Sequence, residues 1–297
     1  MVEAYTPVYT RSMIDEFLFC DWDEAPDDMD FEQPYGEVIG KSAELVSLLL
    51  HEDRADPRSW AAARELYVLA PAIINVALNY SICVQFGLPL HPTEYFEIDQ
   101  SAPPNSPYGE DLEEAAFGLL HKSIRLARAA YRLDAGFGAM AAEYRVDLPH
   151  GLNGFVYTSK RDKYTWRAAE PAKIRALAAA VLKAGRPKLA VGAAHGSIMA
   201  GIFLAELLDC ELWFLRFSMF KRKDQEPVVS PRDEAKIRSY GDGSSVLVFD
   251  EDSASGATLS LLSERVKRMA PLARTGAVIR HQSSSFKPDF VGKAWWD

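Results

Sequence analysis

Residues 246–259 read VLVFDEDSASGATL. The four apolar residues Val246–Phe249 predict a buried strand. Two acids follow, Asp250 and Glu251, and then a short turn rich in small and hydroxyl residues. Thr258–Met269 reads as a helix. A strand-to-helix turn of this kind makes a phosphate cradle, because backbone N–H groups converge on the anion and the helix N-terminus adds favourable partial charge. Gly256 lets the backbone approach closely. Ser255 and Thr258 offer hydroxyl donors. A carboxylate pair beside such a cradle suits the vicinal hydroxyls of a ribose, and it can stabilise positive charge developing on a sugar ring.

The same rhythm continues on both sides. Glu170-Pro171 opens an alanine-rich helix to Ala184, and Leu189–Ala194 reads as a short apolar strand. Ile198–Leu208 reads as a helix and Leu212–Phe217 as a strand. Lys221–Gly243 is a polar, charged connection, and Ala277–Arg280 is a further strand. Strands alternating with helices predict a parallel sheet with right-handed crossovers. Ligands of such sheets sit at the C-terminal ends of the strands, so the turns after the strands carry the candidate site.

Those turns resemble a known family. VLVFDEDSASGATL resembles the motif with which type I phosphoribosyltransferases bind 5-phosphoribosyl-1-pyrophosphate (PRPP): four apolar residues, two acids, then a Thr/Ser-Gly-x-Thr loop. Ser255, Gly256 and Thr258 fall in place, whereas Asp252 and Ser253 stand where the family usually has apolar residues. Val191–Ser197 (VGAAHGS), running into Leu204–Leu207, resembles the family's pyrophosphate loop. His195 sits where a basic residue is common, and Ser197 replaces the second glycine. Lys221-Arg222-Lys223 fall where the family has a mobile loop whose basic residues contact pyrophosphate. Lys287–Gly292 (KPDFVG) resembles a stretch of the 6-oxopurine enzymes, and Arg280 falls at or near their base-reading lysine. Trp295 and Trp296 either stack on a base or anchor the C-terminus. The 6-oxopurine enzymes carry an Asp three places after the second acid. Here that place holds Ala254, as in adenine-type enzymes, so the two matches imply different bases.

The resemblance spans about 165–297. It implies an α/β fold, a twisted parallel sheet of the type I phosphoribosyltransferase kind with flanking helices. The chain thus divides into a mostly α-helical region, 1–164, and this core, 165–297. The implied reaction is transfer of the phosphoribosyl group from PRPP to a nucleobase-like acceptor with release of pyrophosphate, aided by Mg²⁺ bound mainly through PRPP. The resemblance assigns Asp250 and Glu251 to the ribose hydroxyls and the catalytic step. It assigns Ala254, Ser255, Gly256, Ala257 and Thr258 to the 5′-phosphate. Pyrophosphate falls to Ala194, His195, Gly196, Ser197, Lys221, Arg222 and Lys223. The base falls to Asp252, Arg280, Trp295 and Trp296, while Asp252, Glu226 and Glu234 are candidates for a general acid or base. A non-catalytic PRPP- or nucleotide-sensing regulator, or an effector subunit, is the alternative on the same fold.

The other half reads differently. From Glu37 to about Asp147 the pattern is helical. Asp56-Pro57 caps a long apolar segment, Ser59–Phe86, which Pro71 is expected to kink or divide. Pro89–Pro107 is a loop. Asp111–Leu133 carries the clearest apolar stripe at 3–4 spacing, and Gly154–Thr158 reads as a short strand. This half matches no named family; it is a candidate hood over the base, or a surface for a second copy or a protein partner.

The 297 residues carry a formal net charge of −9, unevenly divided: residues 186–297 sum to +2 and residues 1–185 to −11. Eleven acids lie in the first 37 residues, which read as a solvated acidic arm or loop, or alternatively as a docking segment for a basic partner or a second subunit. That balance argues against a nucleic-acid partner. Three cysteines are too few for a disulfide framework, so reduced thiols and a cytoplasmic location are expected. No run of uncharged apolar residues reaches the ~18 of a membrane span; the most apolar stretch, Leu66–Val76, is too short and contains Pro71, and the N-terminus lacks the basic region of a signal peptide. The six histidines show no metal-ligand spacing. Gly136–Ala141 fits G-x-G-x-x-A but follows a helix rather than a strand, which excludes a dinucleotide turn.

Overall fold

The computed structural model describes residues 26–53, 56–88, 108–149, 151–159, 165–219, 223–241 and 246–295. Its helical half begins at β1 (Phe31–Pro34), which runs directly into α1 (Tyr35–His51). Tyr35, Val38, Ile39, Ser42, Leu45, Val46 and Leu49 recur at three- and four-residue intervals and form the buried face of α1. Helix α2 (Pro57–Phe86) starts where Asp56 accepts a hydrogen bond from the Arg58 amide at 2.8 Å, and it stops at Gly87, whose φ of 69° is left-handed. Helices α3 (Glu110–Tyr131) and α4 (Phe137–Val146) follow. Strand β2 (Val156–Ser159) returns to pair antiparallel with β1.

Pro71 does not divide α2, which is one helix of 30 residues. A proline has no N–H to give the carbonyl four residues before it, here that of Tyr67. The Tyr131 hydroxyl donates to the Tyr67 carbonyl instead, at 2.9 Å. A neighbouring helix thus replaces the missing donor and the helix continues. By length and composition α2 could cross a membrane, which the reading of Leu66–Val76 as too short an apolar stretch did not anticipate. However, 83% of its most apolar window is buried inside the fold, the position of a core helix.

The second half is built on one five-stranded parallel sheet. Helices α5 (Thr165–Ala169) and α6 (Pro171–Ala184) lead into β3 (Leu189–Ala194), α7 (Ile198–Leu208) and β4 (Glu211–Arg216). Then come α8 (Pro231–Arg238), β5 (Val246–Ser253), α9 (Ala257–Lys267), β6 (Arg274–Arg280) and β7 (Phe290–Ala294). The spatial order is β4-β3-β5-β6-β7, with every neighbouring pair parallel. From β3 the chain moves outward to β4; from β5 it moves the other way. The order therefore reverses between β3 and β5, where open α/β sheets bind ligands.

Three boundaries differ from the sequence reading. Strand β5 does not stop at Phe249 but runs on to Ser253, because β6 supplies partners: Asp250 pairs with Ala277 and Asp252 with Ile279. The acids are part of the ladder and project from its polar end. The charged connection contains α8, opened by a reciprocal capping box between Ser230 and Asp233 with Pro231 in the first turn. Strand β7 lies inside the KPDFVG stretch and its extension. There Asp289 accepts from both the amide and the hydroxyl of Thr275, at 2.7 and 2.9 Å, and so fixes the start of β7 against the start of β6. Gly292 is equally structural, since a Cβ there would lie 2.4 Å from the Lys173 carbonyl oxygen.

The helical half packs on the sheet face covered by α6 and α7. Tyr67, Tyr131 and Phe203 form an aromatic cluster with centroids 5.3–6.2 Å apart. The Tyr67 hydroxyl donates to the Ala169 carbonyl at 2.5 Å. Arg128 of α3 and Arg132, just past its end, both pair with Glu206 of α7 at 2.9 Å. Helix α9 covers the opposite face through Leu259, Leu262 and Val266. Among the described residues one apolar cluster runs without a break from α1 to Phe290, joining the two halves.

Candidate functional site

The site lies at the reversal point, where β3 and β5 end side by side. Residues 195–197 turn β3 into α7, and the Ala194–His195 peptide is cis. Ser197 is fully buried and reaches across to the end of β5. Its hydroxyl donates to Glu251 Oε2 at 2.7 Å and lies 3.3 Å from Asp250 Oδ1. Gly196 is exposed and directly faces the same carboxylate, since a Cβ there would meet Glu251 Oε1 at 2.0 Å. The pyrophosphate-loop candidates and the acid pair are therefore in contact, though more than fifty residues separate them in the chain.

Asp250 is only 4% exposed. Burial first, and then the adjacent Glu251 carboxylate, push its carboxyl well above the usual carboxylate range. Glu251 is half-buried and opens toward Gly196.

The turn after β5 has the cradle geometry. Ala254 and Ser255 are exposed, and Gly256 caps α9 with a left-handed φ of 83°. No side chain fits at Gly256, because a Cβ would lie 2.5 Å from both Phe286 Cβ and Ser284 Oγ. The first-turn amides of α9, including Thr258, have no partner within the helix and point toward the turn. The segment after β6 braces the other side of the loop. Ser283 Oγ donates to the Ala254 carbonyl at 3.1 Å, and the Ser285 amide donates to the Ser255 carbonyl at 3.1 Å.

Beyond β4, Lys221 and Arg222 lie outside the described residues. Lys223 is exposed and left-handed, with φ 57°. The next residue, Asp224, is anchored: it accepts from Arg216 at 2.8 Å and from the Ser218 amide at 2.8 Å. Both members of the Arg216–Asp224 pair are almost fully buried. Sequence reasoning missed this pair, whose only signal was an arginine closing an apolar strand. Glu226 and Glu234 do not join the acid pair; Glu234 pairs with Arg238 on α8 at 2.7 Å.

Around Asp252 the structure assembles a cluster the sequence did not suggest. Asp252 pairs with His281 Nε2 at 2.9 Å. The Trp295 ring stacks on His281 with centroids 5.1 Å apart and an interplanar angle of 7°. Arg167 of α5 lies over Trp295 at 4.5 Å, tying the C-terminal end to α5. Arg280 turns inward to its own loop, donating to the carbonyls of Phe286 at 3.1 Å and Ser284 at 2.8 Å. Trp296 lies outside the described residues.

For a magnesium ion the relevant donors are the hard carboxylate oxygens of Asp250 and Glu251. Mg²⁺ usually keeps several waters and substrate phosphate oxygens, with few protein ligands, so an acid pair beside a phosphate cradle fits such an ion through its water shell. Among the described residues no three His, Cys, Asp or Glu side chains gather to cage a metal.

The sheet order, the helices on both faces and the placement of these turns give the α/β half a type I phosphoribosyltransferase-like architecture, preceded by a mainly helical region. No protein-family profile matches the sequence, and no curated protein matches it. Solved structures do match part of the chain. A purine phosphoribosyltransferase from Pyrococcus horikoshii is 22% identical with a TM-score of 0.34, over 43% of this chain and 84% of that one. A xanthine-guanine-hypoxanthine phosphoribosyltransferase from Helicobacter pylori is 18% identical with a TM-score of 0.31, over 42% of this chain and 85% of that one.

Proposed function

We propose that this protein is a phosphoribosyltransferase that binds PRPP with Mg²⁺ and transfers its phosphoribosyl group to a nucleobase-like acceptor. The observation that carries this is the convergence of Ser197 and Gly196 on the Asp250–Glu251 pair, beside the left-handed Gly256 turn. Asp250 and Glu251 hold the ribose hydroxyls and face the positive charge that builds on the ring as the bond to pyrophosphate lengthens. Residues 254–258 cradle the 5′-phosphate. Residues 194–197 and the Lys221–Lys223 segment receive the pyrophosphate; preorganised donors of this kind are worth ~10²–10³ in rate each. Mg²⁺ would neutralise charge on the departing pyrophosphate. The acceptor would meet Asp252 and Trp295, and by the family resemblance Arg280 and Trp296 are assigned to it as well.

In this reading residues 165–297 form the catalytic core and residues 1–164 a helical region packed against it. Cys83 and Cys210 are buried thiols outside any disulfide, and burial pushes the Cys210 thiol up to about 12, which suits a reducing, cytoplasmic setting. The test is pyrophosphate release from PRPP and Mg²⁺ across a panel of bases, for the wild type and for Asp250→Ala/Glu251→Ala. The reading expects base-dependent release that the double variant abolishes. Tight PRPP binding without turnover on any base would instead make the protein a sensor, and no PRPP binding would overturn both.

A further inference from the structure

Forming a bond from a ring nitrogen that bears hydrogen to the anomeric carbon leaves a proton to be removed. The position three places beyond the second acid is Ala254, which has no proton-accepting group. A base instead stands just after β6, against the end of β5. Asp252 lies two residues beyond Asp250 on the same strand, about 6–7 Å along it. Its carboxylate holds His281 Nε2, and the side chains are only 10% and 15% exposed. A carboxylate on Nε2 fixes the neutral imidazole with its hydrogen there and its lone pair on Nδ1. The same carboxylate stabilises the imidazolium once Nδ1 has taken a proton. Trp295 sets the ring plane by stacking, and the His281 amide, donating to the Ser253 carbonyl at 3.2 Å, fixes the backbone.

Resting on the phosphoribosyl-transfer reading, we infer that His281, oriented by Asp252, is the catalytic base for the acceptor. The acceptor nitrogen's lone pair forms the new bond to the anomeric carbon. The carbon–oxygen bond to pyrophosphate breaks, and its electron pair leaves on pyrophosphate. The nitrogen-bound proton passes to His281 Nδ1 and is later lost to water. Asp252 acts through His281 as a positioning residue. The acceptor class this selects is a heterocycle whose reacting nitrogen bears a hydrogen.

The test uses the full chain and an acceptor on which the wild type turns over. His281→Asn should lower kcat by ~10²–10³-fold while leaving PRPP binding by calorimetry unchanged. His281→Ala should be equally slow and should regain rate when free imidazole is added, a rescue that a merely structural histidine would not give. If the His281 variants melt at the assay temperature, Asp252→Asn is measured instead, with at least tenfold loss of kcat expected and PRPP affinity kept. A folded variant at either position that turns over at the wild-type rate overturns this inference and leaves the phosphoribosyltransferase reading standing. A wild type that binds no PRPP overturns that reading first, and PRPP binding without turnover on any acceptor removes the proton-transfer role.

Discussion

Gly196→Ala separates binding from folding. The alanine Cβ would stand 2.0 Å from Glu251 Oε1 and 2.8 Å from its Cδ. Non-bonded carbon and oxygen settle at about 3.3 Å or more, so the carboxylate must withdraw by more than ~1 Å. The obstacle is the end of a flexible side chain, and position 196 is exposed, so the fold has room to yield. Ser197 loses Glu251 but keeps Asp250 at 3.3 Å, so a stability loss of about 1 kcal/mol, roughly 2–4 °C in Tm, is expected. The functional loss is larger. Withdrawal breaks the 2.7 Å bond from Ser197 and moves Glu251 from the place where it would meet a ribose hydroxyl. A hydrogen bond to a charged group is worth ~1.5–3 kcal/mol, which converts to roughly 10–150-fold in affinity. Calorimetric titration with PRPP and Mg²⁺ reads the affinity, and thermal melting reads the fold. A Gly196→Ala protein that binds PRPP like the wild type would show that Glu251 does not hold the sugar.

Three further outcomes follow from particular contacts. Tyr131→Phe removes the donor to the Tyr67 carbonyl and should cost ~1–3 kcal/mol in chemical denaturation; Pro71→Ala in the same chain should recover part of it, and additivity of the two changes would refute the coupling. Asp224→Ala leaves Arg216 buried without this carboxylate and should destabilise by ~3–5 kcal/mol, so a change under 1 kcal/mol would mean that the pair does not anchor the segment after β4. Because Asp250 is pushed above its ordinary value of 3.8, its protonation favours the fold, a contribution complete below that value and lost as pH rises through the folded-state value. Asp250→Asn stays neutral, so its Tm should gain on the wild type as pH rises from about 4 to about 8, while PRPP binding weakens; a Tm difference that ignores pH contradicts the buried, raised carboxyl.

What was legible in the sequence followed from local burial. Helices α6 and α7 occupy Pro171–Ala184 and Ile198–Leu208, within a residue of where the apolar pattern put them. Strands β3 and β4 are short apolar runs with clear flanks. The rest depended on partners far along the chain. Acids rarely extend a strand, so the register with β6 that carries β5 to Ser253 could not be read from residues 250–253 alone. Strand β7 is FVGKA, half-buried and interrupted by glycine, with no alternation to announce it. Pairing of Phe31 with Ser159 closes a loop across the whole helical half. Pro71 misled for the same reason, since its compensating donor is on another helix.

The candidate site divides along the same line. Asp250, Glu251, Gly256 and the 194–197 turn were visible because each belongs to a contiguous motif. His281 was not, because an isolated histidine carries no spacing signal and its meaning comes from Asp252, a full connection away in the chain. That contrast bears on the conflict between KPDFVG and Ala254, which implied different bases. In KPDFVG, Asp289 secures Thr275 and Gly292 clears the Lys173 carbonyl, so at least these two residues answer to packing and say nothing about a base. Arg280 likewise directs donors to the backbone of its own loop. Under the proposed phosphoribosyl transfer, the groups left for an acceptor are Asp252, His281, Trp295 and the nearby Arg167. Acceptor preference should therefore follow changes at Asp252 and His281 and be insensitive to Lys287→Ala, an exposed member of the motif. A switch of preferred base caused by Lys287→Ala would return the motif to a recognition role.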